Sequence, residues 1–384
     1  MTQQSTLPRS GSRRRPLVVL LFGGRSSEHG ISVVTAGAVL RAIDRTKYDV
    51  LPVGITRDGR WVLTADDPER MAMADRQQPT VEQLIASDRS TIVVSVDPTD
   101  RTAVSSERGA EPKVLGEVDV VFPVLHGPYG EDGTVQGLLE LSGIPYVGAG
   151  VLASAIGQDK EYMKRVFSSF GLAVGPYLVI RPREWQSDPA GALTRISGFA
   201  DGYGWPLFVK PARAGSSIGI TRVDGREGLE DAIAEAHRHD AKIIVEALVR
   251  GREIECGVLE FPDGPRASVP AEIPAPDASS YYDFEAKYLD STPGMVPAPL
   301  TDTQTSEVRR LALKAFEAAS CEGLVRADFF LTEEGQFVIN EINTMPGFTP
   351  VSMYPQMWQA TGIRYGDLVD RLLQAALRRT TGLR

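Results

Sequence analysis

The sequence is short of cysteine, of clustered histidine and of long apolar runs, and each shortage excludes something. Cys256 and Cys321 are the only cysteines among 384 residues, and they stand far apart. They supply no disulfide framework and no zinc motif, and fit a reducing, cytoplasmic setting as small buried residues. No apolar segment approaches the about 20 residues of a membrane helix, so no membrane partner is expected. The net charge of −9 offers no positive surface for a nucleic-acid partner. Small anionic ligands remain open, because local basic residues decide those. A G-x-G-x-x-G turn after the first strand is missing, which argues against a nicotinamide enzyme, and there is no G-x-x-x-x-G-K-[ST] loop. Internal repeats are absent.

What is present describes a soluble globular chain, 42% apolar and 24% charged, with length for two or three domains. "SRRRPLVVLLFGG" at residues 12–24 has a basic, twin-arginine start. Its apolar run is short, lacks a small-residue cleavage site and meets Arg25, Ser26 and Glu28 at once, so it reads as a first buried strand. Residues 1–16 are expected to be a disordered tail.

"PLVVLLFGG", "EHGISVVTAGAVLRAI" and "YDVLPVGI" follow one another as strand, helix and strand. That order indicates an N-terminal doubly wound α/β domain over residues 17–150. "VDVVFPVLHG" returns to its sheet, "GEDGTVQGLLELSG" gives a turn and a helix, and "IPYVGAG" reads as one more short strand. Residues 64–113 form a more polar, elaborated region with weak strands such as "STIVVSV". A central unit, 151–250, holds the helical stretch "LASAIGQDKEYMKRVFSSFG" and the strand–loop–strand "WPLFVKPARAGSSIGITRV". Within it, polar and glycine-rich residues 183–204 read as a surface insertion. The last unit, 251–384, contains the strands "GLVRADFFL" and "QFVINEIN" and a closing helix.

Those two strands carry the strongest chemical signal. Arg326 and Asp328 share one strand face, and Glu341 and Asn343 share another. The turn "TEEGQ" between them predicts a hairpin that brings Asp328 close to Glu341 and Asn343. Hard oxygen donors without histidine or cysteine suit magnesium rather than zinc. A surface ion-pair network with Arg326 is the bland alternative. "KPARAGSSIG" sets Lys210 before a loop of Gly215, Ser216, Ser217 and Gly219, whose N–H groups can surround phosphate oxygens; an ordinary hairpin explains it as well. Lys160 opens a helix and is either a second phosphate contact or a solvated lysine. Glu246, Leu248 and Glu253 flank a strand end suited to an adenine slot, or the glutamates are simply exposed.

Taken in order, "GGRSSEHGIS", "VLHGPYGEDG", "QDK", "KPARAGSSIG", "VE…GREIE", "EAKY", "RADF" and "NEINTMPGFT" resemble the D-alanine–D-alanine ligase family of ATP-grasp enzymes, from about residue 17 to 378. The resemblance implies a three-domain ATP-grasp architecture in which the last two units hold ATP between them. It implies that Lys160, Lys210 and Lys287 contact ATP phosphates, with Ser217 in the phosphate loop, and that Glu246, Leu248 and Glu253 hold adenosine. Asp328, Glu341 and Asn343 are expected to bind two Mg2+ or Mn2+ ions. Glu28 takes the first D-alanine's ammonium, with His126 nearby. Arg326 and the Gly347 N–H form an oxyanion site, and Ser352 anchors the second substrate. Ser216 and Tyr288 link with Glu28 to close a loop, with "YYDFEAKYLD" as the lid. The family also implies a homodimer, a cytoplasmic location and a part in peptidoglycan synthesis. The nearest rival is a D-alanine–D-lactate or other-acceptor ligase of the same fold.

Overall fold

The computed structural model describes residues 14–73, 77–86, 90–107, 109–216, 218–274 and 294–379. Residues 1–13 of the expected tail, Ser217, Lys287, Tyr288 and the lid segment lie outside the described residues. Arg14 to Pro16 are tied down. Arg14 pairs with Asp119 at 3.0 Å and Arg15 with Asp49 at 2.5 Å.

The N-terminal sheet is built on β1 (Leu17–Gly23), which runs parallel to β2 (Asp49–Ile55), while β3 (Trp61–Leu63) adds an antiparallel edge. β4 (Ser90–Val94), β5 (Thr102–Glu107) and β6 (Lys113–Glu117) form a separate antiparallel sheet inside the elaborated region. β7 (Val120–Pro123) then returns beside β1 in parallel. Alternation along β1 sends Val18, Leu20 and Phe22 into one core and Val19 and Leu21 into another. A sheet buried on both faces needs cover on both. α1 (His29–Ala42) supplies Val33, Ala36 and Val39 to the first core, and α2 (Thr134–Leu141) supplies Val135 and Leu139 to the second. "IPYVGAG" forms no strand; Tyr146 makes a single bridge to Val121.

The helical stretch after it breaks into α3 (Val151–Gln158) and α4 (Lys160–Ser169). Asp159 is the cause. Its backbone is extended, and its carboxylate accepts the N–H groups of Glu161 and Tyr162 at 3.1 and 3.3 Å, an N-cap that restarts the helix. β8 (Tyr177–Ile180) precedes α5 (Pro182–Ser187) and α6 (Pro189–Tyr203). Residues 183–204 are therefore not a surface insertion. Ala192, Ile196 and Ala200 recur every fourth residue of α6 and enter the core of the central unit. The glycines and polar residues between them hid that stripe. β9 (Leu207–Pro211), β10 (Thr221–Val223), α7 (Leu229–His237) and β11 (Ile243–Ala247) complete a four-stranded antiparallel sheet in the order β10-β9-β11-β8.

β12 (Arg252–Phe261), β13 (Gly264–Ala267) and β14 (Ala271–Ile273) open the last sheet. α8 (Asp302–Ala318) covers it, and β15 (Leu324–Leu331) and β16 (Phe337–Asn343) finish it in the order β13-β12-β15-β16, with β14 also on β12. α9 (Met353–Ala360) and α10 (Tyr365–Arg378) close the chain. Leu368, Leu372 and Leu373 of α10 pack in the same core as β1 and α1, so the end of the chain is buried against its beginning.

Candidate active site

β15 and β16 pair antiparallel, with Arg326 opposite Asn343 and Asp328 opposite Glu341. The register slips by one residue after Asp328, so that Phe329 pairs with Ile339 and Asn340 is the extra residue of a bulge. The hairpin expected from the turn is thus present, and its polar residues meet. Arg326 Nε and one terminal nitrogen donate to the two oxygens of Asp328 at 2.8 and 2.7 Å, and Nε stands 3.2 Å from Glu255. Burial opposes the charge of Arg326, but Asp328 and Glu255 more than offset it and hold the guanidinium protonated well above its ordinary range. Asn343 Nδ2 donates to Asp328 at 2.9 Å, leaving the amide oxygen for another partner. Two carboxylates and an amide oxygen on adjacent positions of one hairpin are a donor set that suits Mg2+ or Mn2+.

Lys160, the first residue of α4, faces this hairpin. Its ammonium donates to the Ala214 carbonyl at 3.0 Å and lies 3.6 Å from Glu341. The helix start that aims it is braced by Lys242, whose ammonium donates to Asp159 and lies 3.0 Å from Glu161.

On the central sheet Lys210 donates to Glu246, and Lys164 of α4 lies 2.9 Å from the other oxygen of the same carboxylate. Burial alone would raise Glu246. The two ammonium groups prevail and hold it ionised well below the usual carboxylate range. Leu248 lies just beyond the end of β11, half-exposed, and Glu253 sits on β12 opposite Ile273 and Phe330.

Glu28 stands at the start of α1 and is buried. Ser216 donates to it at 2.5 Å, 188 positions away in sequence. Ser216 adopts a left-handed backbone with φ of 49°, unusual for a side chain with a Cβ, and this bond helps to hold it there. Ser26 Oγ donates to the His126 carbonyl at 2.7 Å. His126 Nδ1 lies 3.0 Å from the Met345 carbonyl, so that nitrogen carries the hydrogen. Burial lowers the ring's pKa despite the charge of Glu28, and the neutral ring keeps Nε2 as an acceptor without a partner among the described residues.

One cavity gathers Glu28, His126 and Ser216 on one side and Lys160, Arg326, Glu341, Asn343 and Gly347 on the other. Asp328 is buried next to the lining residue Arg326, which donates to both its oxygens. Lys210, Glu246, Leu248 and Glu253 do not line the cavity; Lys210, Glu246 and Glu253 belong to the central and last sheets, and Leu248 follows β11. Ser352 Oγ accepts the Thr349 N–H at 3.1 Å and stands 3.2 Å from where a Cβ on Gly347 would be. Three residues here were missed by sequence reasoning. Neither Lys164 nor Glu255 was singled out from the sequence. Glu131 lies in the quoted "GEDG" turn and lines the cavity, yet nothing in that motif announces its partners.

Residues 17–149 match the family described as D-ala D-ala ligase N-terminus, and residues 166–374 the one described as D-ala D-ala ligase C-terminus. A Streptomyces avermitilis protein named D-alanine–D-alanine ligase is 75% identical over 380 residues, 98% of this chain and 99% of its own length. A Streptomyces coelicolor protein of the same name is 74% identical over 369 residues, 96% of this chain and 95% of its own. Among solved structures, VanG D-Ala:D-Ser ligase from Enterococcus faecalis has a TM-score of 0.80 at 32% identity, covering 94% of this chain and 100% of its own. The D-alanine-D-alanine ligase of Coxiella burnetii has a TM-score of 0.78 at 33% identity, covering 95% of each chain. Two antiparallel sheets following an α/β domain, in a chain that superimposes on these ligases over nearly its whole length, define an ATP-grasp ligase. Within that class the chain belongs to the D-alanine–D-alanine ligase family.

Proposed function

We propose that the chain joins two D-alanine molecules, using ATP, into D-alanyl-D-alanine with release of ADP and phosphate, for peptidoglycan precursors. The observation that carries this reading is the single cavity in which the Glu28–Ser216 pair faces Arg326, Glu341 and Asn343. An ammonium-binding acid there stands across from cations and oxygen donors suited to a transferring phosphoryl group.

In the first step a carboxylate oxygen of one D-alanine attacks the γ-phosphorus, ADP leaves, and an acyl phosphate forms. In the second, the amine of the other D-alanine loses a proton and attacks the acyl carbon, and phosphate leaves. Glu28 holds the first ammonium, with His126 beside it. Lys160, Lys210 and Lys287 contact the phosphates, with Ser217 in the phosphate loop. Glu246, Leu248 and Glu253 hold adenosine. Arg326 and the Gly347 N–H stabilise the tetrahedral oxyanion, each such donor being worth about 3 kcal/mol. Ser352 anchors the second carboxylate, and Tyr288 closes the lid with Ser216. Asp328, Glu341 and Asn343 would hold divalent ions, two in this reading, which neutralise triphosphate charge when bound. A homodimer in the cytoplasm completes the reading. No helix among the described residues is long and apolar enough to cross a membrane.

The test is incubation of the chain with ATP, magnesium and D-alanine, with dipeptide and phosphate assayed together. Equal amounts of both are expected. Phosphate without dipeptide refutes the ligation. D-Lactate and D-serine added in competition test the acceptor, and a predominance of either product at pH 7 corrects the second substrate alone.

A further inference from the structure

After β16 ends at Asn343 the chain leaves the ladder, and its backbone groups need other partners. Met345 finds both of them in one loop of the N-terminal domain. Its N–H donates to Glu131 Oε1 at 3.0 Å, and its carbonyl accepts from His126 Nδ1 at 3.0 Å. Glu131 Oε2 turns back to accept the Gly127 N–H at 2.7 Å, so one carboxyl staples its own loop and the distant segment together. The loop is braced further. Asp132 accepts the N–H groups of Tyr129 and Thr134 at 2.8 and 2.9 Å, and Gln136 donates to the Gly130 carbonyl at 2.7 Å. Gly127 takes a φ of 72° and lies so near Glu28 that an added Cβ would stand 3.0 Å from its carboxylate. The loop that touches Glu28 is thus the loop that holds Met345, and Met345 stands two residues from Asn343 and two from Gly347.

We propose that Glu131, with His126, is a positioning residue for acyl transfer, which sets the place of the Asn343–Gly347 segment from the loop beside the first-substrate acid. The inference rests on the ligase reading above. Both Glu131 oxygens are taken by backbone N–H groups, so it acts through the Met345 peptide on the Gly347 N–H two residues on. Two acceptor oxygens at a fixed reach are what the site uses. Glutamine offers one oxygen and sets an NH2 group against the other N–H donor. Aspartate offers both oxygens on a shorter arm. A misplaced oxyanion donor slows attack on the acyl phosphate and leaves that compound longer to water, so ATP is consumed without product.

The experiment compares the full chain with Glu131→Gln and Glu131→Asp at saturating ATP, magnesium and D-alanine, measuring phosphate released per dipeptide formed, kcat, KM for ATP and the melting temperature. Glu131→Gln is expected to lose about tenfold or more in kcat with KM for ATP nearly unchanged, and to release more than one phosphate per dipeptide. Glu131→Asp should fall between. If the glutamine variant does not fold, the same ratio is read from the aspartate variant. A ratio that stays at one with near wild-type kcat, whatever the melting temperature does, overturns the inference. So does a rise in KM for ATP at unchanged kcat. A wild-type chain that makes no dipeptide overturns the ligase reading itself, and the inference with it.

Discussion

Glu246 and Glu131 are two glutamates whose carboxyls lie inside the protein, and their surroundings push their pKa values in opposite directions. Glu246 sits between Lys164 and Lys210 and is held ionised. Glu131 meets only backbone N–H groups. Burial, and then the negative charge of Glu28, push its pKa to about 8 against the pull of those donors and of the Arg326 guanidinium. Enclosure therefore does not fix the charge of a carboxyl here; the neighbouring cations do. The Glu246 side is built from paired charges. On the Glu131 side two carboxyls stand close together, and that like charge adds to burial in raising one of them.

The strongest way to break this contrast is to remove both cations from Glu246. Lys164→Met combined with Lys210→Met strands a buried carboxylate, at a cost of about 3–5 kcal/mol in denaturant unfolding at pH 7. Nucleotide binding, followed by ADP titration, should fall below detection. Affinity within tenfold of wild type would show that the pair of lysines does not define that side.

Glu131→Gln sharpens the contrast through pH. A folded pKa raised from 4.5 to about 8 means that this group's contribution is fully present below pH 4.5 and lost as pH rises through 8. Glu246 has the opposite sign: its lowered pKa contributes above pH 4.5 and is lost as pH falls. The stability gap between wild type and Glu131→Gln should narrow by a few kcal/mol from pH 5 to pH 9. Unfolding curves at several pH values read this directly, and a gap independent of pH sinks the assignment.

The smallest effect tests the source of the upward push. Glu28→Gln removes the like charge, so the Glu131 pKa should move down by on the order of one pH unit or less. A carbon NMR titration of the Glu131 carboxyl measures it. No movement, or movement upward, would mean that burial alone is responsible.

Much of this site was legible in the sequence because period-two alternation puts Arg326, Asp328, Glu341 and Asn343 on the faces where they meet. The parallel start of the N-terminal sheet was legible for a different reason: the unbroken apolar run Val18–Phe22 marks a strand buried on both faces. α6 was not, since its apolar stripe is three small or medium residues diluted by glycine and charge. Lys164 and Glu131 were invisible for another reason. A lysine on a helix is solvated far more often than buried. Glu131 gains its meaning from Met345, 214 positions later, a pairing that no local pattern encodes.

The bulge at Asn340 bears on how the hairpin can change length over evolutionary time. Asn340 is the residue without an opposite number on β15, so its deletion would restore an even ladder and leave Ile339 toward the core and Glu341 toward the cleft. Deleting Ile342 instead would move Asn343 into its place, facing the core, and bring Thr344 opposite Arg326. Loss of a single codon is therefore tolerable at one position of β16 and ruinous two positions on. Among descendants of this gene, length variation in the strand should collect at Asn340 and nowhere nearer the turn that follows Asn343.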